Sequence, residues 1–300
     1  SIVQWKHNFF YLSENKSYDE TKYLKYFNKT MATYSITTLV ENCVYNRKLE
    51  AEHGLSLHVR TPEKRILFDT GQSDLLLRNA TLLHIDLKAV DALVLSHGHS
   101  DHTGGLRAFL AENDRATVFC KRDALNRKFK KERENGLLDA SSLDLSRFCF
   151  VDEVTEIYPG VVLCPDIPLC QKEDTHFDHF FTEVNGQRIP DTFTDELAVF
   201  LLTDTTYSVL SACSHRGITN VLRQGEAFFP TRHLDTLIGG FHIHTAGEEK
   251  YQVIARSLAG KHPRQLGICH CTGVDQFARF CRDFTESVFY NHVGCKTEIG

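Results

Sequence analysis

Five apolar runs in this chain each end on a residue able to bind a metal ion, and no other feature narrows the choice of fold so far. Asp69 closes RILFD, His97 closes ALVLSH, His215 closes YSVLSACSH, His242 closes TLIGGFH and His270 closes QLGICH. Short runs rich in Leu, Ile and Val and bounded by Gly or polar turns read as buried strands. Between them, 72–87, the stretch restarting at Thr103, and the segments 217–226, 248–260 and 274–285 carry apolar residues at helical spacing. Strands alternating with helices predict a layered α/β domain. In such layers the carboxyl ends of the strands share an edge, where sites are assembled.

The rest of the chain fits around that frame. Residues 197–215 read as a hairpin about the polar TDTT turn, and ATVFC (116–120) as another strand. From 121 to 150 the alternation loosens into a charged, helix-like insertion, whose basic run 121–134 reads as a solvated helix face. Met31, the one methionine, directly precedes the first strand-like run. Residues 1–30 are therefore expected to be an N-terminal extension upstream of the natural start, with an arm packed on the body as the competing view, and 31–300 a single composite domain. A mixture of 42% apolar and 24% charged residues is enough for a real core. The net charge of -5 argues against nucleic acid as a partner. Apolar runs such as LAVFLL (197–202) fall far short of the roughly 20 residues that span a bilayer, so no membrane partner is expected. Ten cysteines without paired spacing suit reduced thiols and a cytoplasmic location.

The turn HGHSDHTGG (97–105) concentrates the chemistry. His97 and His99, two apart in an extended stretch, face the same way and can grip one ion. Asp101 and His102 lie a turn further on, displaced towards a second. Imidazoles with a carboxylate suit divalent transition metals, zinc first, with manganese or iron as the other choices. Gly104 and Gly105 are expected to let the backbone pass beneath the ions and open the next helix.

HGHSDHTGG, preceded by LFDTG, resembles the His-X-His-X-Asp-His signature of the metallo-β-lactamase superfamily. The resemblance implies a four-layer αβ/βα sandwich with mixed sheets and a metal site at one sandwich edge. ACSHRGI, GGFH and CHCTG are similar to the branch containing the archaeal dihydropterin ribofuranosylaminobenzene 5′-phosphate synthase. It further implies that His215 completes the first metal position and His270 the second, and that Asp69 orients a ligand imidazole from behind. The superfamily usually adds a bridging Asp, yet no carboxylate stands beside His215. Cys213, His242 or a bridging hydroxide are the candidates for that place, and a single-ion site is the other outcome. Cys269 and Cys271 flank His270 and are read as packing residues on the face opposite it.

The expected function is a metal-dependent hydrolase acting on an ester, lactone or phosphoester through a metal-bound hydroxide. Two ions roughly 3.5–4 Å apart would share and acidify a water, with Asp101 accepting its proton and His242 contacting substrate. The alternative is a transferase like the synthase of the branch, releasing pyrophosphate. A second alternative is a metal-containing binding protein without catalysis. The partner expected is a small molecule, phosphorylated or ester-containing, and a homodimer is left open. No nucleophile elbow of the G-X-S-X-G kind is present, so no covalent intermediate is expected.

Overall fold

The structure is a computed structural model that describes residues 33–300; the expected N-terminal extension, 1–30, lies outside the described residues. Its strands are β1 (Tyr34–Val40), β2 (Ser56–Arg60), β3 (Arg65–Phe68), β4 (Ala92–Val94), β5 (Thr117–Cys120), β6 (Lys128–Lys130), β7 (Arg133–Glu134), β8 (Phe148–Phe150) and β9 (Thr155–Tyr158). The second half adds β10 (Val161–Cys164), β11 (Phe180–Val184), β12 (Gln187–Pro190), β13 (Ala198–Leu202), β14 (Thr206–Ser211), β15 (His233–Gly239), β16 (Gln265–Ile268), β17 (Val288–Tyr290) and β18 (Lys296–Ile299). Helices are α1 (Leu75–Leu82), α2 (Ser100–Thr103), α3 (Leu106–Glu112), α4 (Ile218–Phe228), α5 (Glu248–Ala259) and α6 (Val274–Asp283).

Two seven-stranded sheets form, in the orders β18-β1-β2-β3-β4-β5-β8 and β17-β16-β15-β14-β13-β10-β9. Each is mixed: antiparallel from β18 to β3 and from β9 to β14, parallel from β3 to β8 and from β14 to β17. Because side chains alternate along a strand, each central strand feeds two cores. Ile66, Phe68, Ala92 and Val94 meet Val161, Leu163, Val199 and Leu201 between the sheets. Leu67, Leu93 and Val118 turn outward under Leu76, Ala80 and Phe109 of α1 and α3. On the far side, Val162, Phe200 and Val209 pack beneath α4, α5 and α6. Helix, sheet, sheet, helix is the four-layer αβ/βα sandwich expected, and strands buried on both faces explain why the sequence shows near-continuous apolar runs.

The 121–150 segment departs from its expected form. It holds no α-helix: β6 and β7 join β11 and β12 in a four-stranded antiparallel sheet, and β8 extends the first large sheet. Lys128, read as part of a solvated face, is 1% exposed. The reason is an ion-pair partner 63 residues away, Asp191, which local charge patterning cannot reveal.

Candidate metal centre

The chain turns sharply at each strand end of the site edge. Asp69, Ser214, His242 and His270 all adopt left-handed backbone, with φ of 60, 54, 51 and 51°. Such conformations cost non-glycine residues energy and persist where surrounding contacts over-determine them. At His270 that contact is a buried carboxylate, and buried carboxylates hold neighbouring backbone elsewhere along the edge. Asp69 Oδ1 accepts from the Ser96 amide at 2.7 Å, and Asp195 Oδ2 from the Gly98 amide at 2.8 Å. Glu196 accepts from the amides of His215 and Arg216 at 2.6 and 2.7 Å. Glu41 accepts from His270 N at 2.6 Å, Cys43 N at 2.6 Å and the Tyr290 hydroxyl at 2.9 Å. Every segment that carries a histidine of the expected ligand set is thus tied by a carboxylate to its backbone.

The same network sets the imidazoles. His102 Nδ1 donates to Asp69 Oδ2 at 2.8 Å, and His270 Nδ1 lies 3.0 Å from Asn42 Oδ1. Ser96 Oγ donates to Asp69 Oδ2 at 2.7 Å, so it accepts from His97 Nδ1 at 2.9 Å. His215 Nδ1 faces the His176 carbonyl at 3.3 Å. With the proton placed on Nδ1, Nε2 is left as a lone pair. The Nε2 atoms of His97, His99, His215 and His270 are buried and have no hydrogen-bond partner; His270 Nε2 lies 3.3 Å from Asp101 Oδ2 without a bonding angle. Four buried ring nitrogens without partners, three of them lone pairs by the bonds their Nδ1 atoms make, are costly unless something electrophilic fills the space between them.

They converge in two groups. The ligand atoms of His97, His99 and His215 lie within 4.8 Å of one another, and so do those of Asp101, His102, Cys213 and His270. Cys213 also forms a third group with His215 and His242. The donor sets, three imidazoles in one and two imidazoles, a carboxylate and a sulfur in the other, fit divalent transition ions. Burial holds His97 and His215 well below the usual histidine range and pushes His99 down to about 3 and His270 to about 4, so these rings are neutral at pH 7, as metal ligation requires. Burial would lower His102 as well, but Asp101 and Asp69 outweigh it and hold it up at about 10. His215 stacks on Phe193 with ring centroids 3.8 Å apart.

All eight residues singled out in the sequence (Asp69, His97, His99, Asp101, His102, Cys213, His215 and His270) meet at this edge, and His242 adjoins them with its ring 4.3 Å from that of His215. Gly105 caps the start of α3, so these glycines open the next helix as expected, but their close approach is a different one. A Cβ on Gly104 would stand 2.1 Å from the Gln72 carbonyl, and one on Gly105 2.4 Å from that of Thr70. The close approach is to the loop after β3, not to the ions. Cys271 is buried outside the ligand groups, and its sulfur receives the His242 amide at 3.2 Å. Sequence reading missed Glu41, Asp195, Glu196, Lys128, His53 and His176. His53 Nε2 lies 3.3 Å from Asp101 Oδ2. Lys128 Nζ, 2.9 Å from Asp191 and 3.0 Å from Asp195, neutralises the carboxylate that holds Gly98. Of these, only Glu41 carries the strand-end signal, since it follows β1 directly.

Comparison with known proteins agrees with this geometry. The family model of the metallo-beta-lactamase superfamily matches residues 50–128, which include the His97–His102 turn. Tm1679, a solved metal-dependent hydrolase of the beta-lactamase superfamily, is 31% identical with a TM-score of 0.78, covering 89% of this chain and 99% of that one. This chain belongs to the metallo-beta-lactamase superfamily. It is also 28% identical over 279 residues to the 7,8-dihydropterin-6-methyl-4-(beta-D-ribofuranosyl)-aminobenzene-5'-phosphate synthase of Methanocaldococcus jannaschii, covering 86% of this chain and 94% of the synthase. YhfI of Bacillus subtilis, 12% identical with a TM-score of 0.57, shares the fold. Tm1679 is a metal-dependent hydrolase and the archaeal relative a synthase; this chain too is an enzyme, which sets aside the reading as a binding protein without catalysis. The fold implies a divalent metal. None of the described helices is long and apolar enough to cross a membrane.

Proposed function

We propose that this enzyme hydrolyses a small phosphoester at the metal centre. The observation that carries the reading is a rim of histidines and two lysines, Lys130 and Lys250, beside the His97–His99–His215 group. Phe180 packs against His99, His215 and His242 with ring centroids 5.1, 5.1 and 5.7 Å away, and Lys130 Nζ sits 5.2 Å from its ring. His176 approaches His242 with centroids 5.4 Å apart, and Lys250 Nζ is 3.5 Å from His176 Nδ1. His242 Nδ1 and His176 Nε2 are buried without hydrogen-bond partners. Burial first, then the neighbouring His176, His99 and Lys130, holds His242 well below the usual range. Asp174, 3.6 Å from His176, and Asp178 are acids near this rim, and one oxygen of Asp174 is already taken by the amide and hydroxyl of Thr219. Such a surface favours an anionic group.

His97, His99 and His215 would hold one ion, and Asp101, His102 and His270 a second. Ions bound there would supply an acidified water and a Lewis acid for the oxygen under attack; zinc is our choice among the metals such ligands hold. Asp101, its carboxylate 16% exposed and facing His53, His102 and His270, would accept the proton. Asp69 would keep His102 in the ligating tautomer, and His242 with Lys130 would orient the phosphoryl oxygens. A cytoplasmic location suits the ten cysteines, all of them unpaired.

The likeness to the synthase favours a second reading, transfer of a pterin-methyl group to an arylamine with release of pyrophosphate, in which the same rim would hold the diphosphate. One experiment separates the two. Metal-loaded enzyme is offered a nitrophenyl phosphodiester, a neutral nitrophenyl ester, and a dihydropterin methyl diphosphate with and without arylamine. Hydrolysis of the phosphodiester, with KM raised by Lys130→Ala and His176→Ala while neutral-ester turnover is unchanged, supports the proposal. Pyrophosphate release only when diphosphate and amine are both present overturns it in favour of transfer.

A further inference from the structure

We propose that Cys213 is a metal ligand, binding as a thiolate the ion held by Asp101, His102 and His270. The inference rests on the metal centre described above and deepens it, since none of the ligand roles carried over by resemblance falls on a cysteine.

Three observations support it. The Cys213 sulfur lies 3.2 Å from His102 Nε2, the ring atom turned away from Asp69 and towards the second ligand group. That sulfur and the ligand atoms of Asp101, His102 and His270 share one space, all within 4.8 Å of one another. Cys213 is also unlike the structural cysteines of this chain. Cys164, Cys269 and Cys120 each sit inside one of the three apolar cores, where a thiol serves as a small hydrophobe. Cys213 is as deeply buried, 2% exposed, yet belongs to none of them. Its sulfur is surrounded by the ligand atoms of Asp101, His102 and His270 and by those of His215 and His242, and the Cys271 sulfur donates to the Cys213 carbonyl at 3.6 Å.

The backbone places the sulfur there. Cys213 comes two residues after the end of β14 and one before the left-handed Ser214, whose hydroxyl donates to the Gly240 carbonyl at 2.8 Å. The turn thereby presents two ligands from three consecutive residues: Cys213 towards the Asp101 group and His215 towards the His97 group. Cys213 stands two residues before His215, in a turn that offers no carboxylate. On binding, the thiol proton passes to solvent and a sulfur lone pair fills the coordination position, with no change of oxidation state. A set of one carboxylate, two imidazoles and one thiolate completes four-coordination and is softer than an all-nitrogen-and-oxygen set, which selects zinc or cobalt over manganese.

Cobalt(II) tests the assignment directly, because only thiolate ligation adds an intense near-ultraviolet charge-transfer band. Full-length apoprotein titrated with cobalt is expected to bind two equivalents and develop that band. Cys271→Ser should retain it. Cys213→Ser should lose both the band and one equivalent, and Cys213→Asp should recover the second equivalent without the band, which shows that the loss is not one of folding. Two equivalents bound by the wild type with no band, or a band that survives in Cys213→Ser, would overturn the role of Cys213 while leaving the metal centre intact. A wild-type chain that binds no cobalt would overturn both readings.

Discussion

Replacing Asp69 by Asn removes one charge and no volume, so its effect isolates what the carboxylate does for the ligand histidines. Asp69 accepts three hydrogen bonds, from Ser96 N, Ser96 Oγ and His102 Nδ1, all at 2.7–2.8 Å. An asparagine can keep the first through its carbonyl oxygen. Its amide nitrogen then stands where Oδ2 was, a donor facing Ser96 Oγ and His102 Nδ1. The serine hydroxyl can rotate, but His102, once neutral as a ligand, can satisfy the new donor only by carrying its proton on Nε2, the atom that should face the ion. Binding must then force the less favourable tautomer and break a hydrogen bond. Losses behind a ligand histidine typically reduce metal affinity by about 10–100-fold, roughly 1.4–2.7 kcal/mol. The ion held by Asp101, His102 and His270 should carry most of that loss. A smaller one is expected at the His97 group, where Asp69 acts only through Ser96. The assay is zinc competition against a chromophoric chelator, fitted for two sites, with circular dichroism confirming the fold. Wild-type affinity at both sites in a folded Asp69→Asn protein would refute the tautomer argument.

Two further outcomes bear on the supporting structure. Lys128→Met leaves Asp191 and Asp195 buried without their cation, which costs about 3–5 kcal/mol; a loss below about 1 kcal/mol in urea unfolding would show that the carboxylates are protonated or solvated instead. His58, buried in β2 with an unpartnered Nε2, is lowered to about 4 by burial and then by Arg65 and Arg60. Its folded pKa lies below the unfolded value of 6.5, so the unfolded chain takes up the proton first, and stability is lost as pH falls from 6.5 towards 4. That loss reaches about 2 kcal/mol by pH 5. His58→Leu should remove this share of the acid sensitivity, and an unchanged difference in unfolding free energy between pH 7 and pH 5 would contradict it.

The sequence by itself determined the layered α/β class and the positions of the chemistry, because both are local properties. Strands buried on two faces must be apolar throughout, and the first polar residue after each run necessarily emerges at a sheet edge; Asp69, His97, His215 and His270 were legible for that reason. The turn at 97–102 was legible because neighbours in sequence supply four donors to one place. What holds those donors was not legible. Glu41 grips the His270 amide across 229 residues and Glu196 that of His215 from the start of the preceding hairpin; Glu41 does stand at a strand end, but nothing local to either glutamate names the amide it holds. The charge run at 121–134 read as a solvated helix, yet Lys128 is drawn inside by Asp191 and Asp195, and Gly136 bridges to His99. Only the tertiary structure decided these points, since a charged side chain's place depends on whether a partner from elsewhere in the chain arrives to offset its desolvation, and that is settled by packing rather than by sequence neighbours.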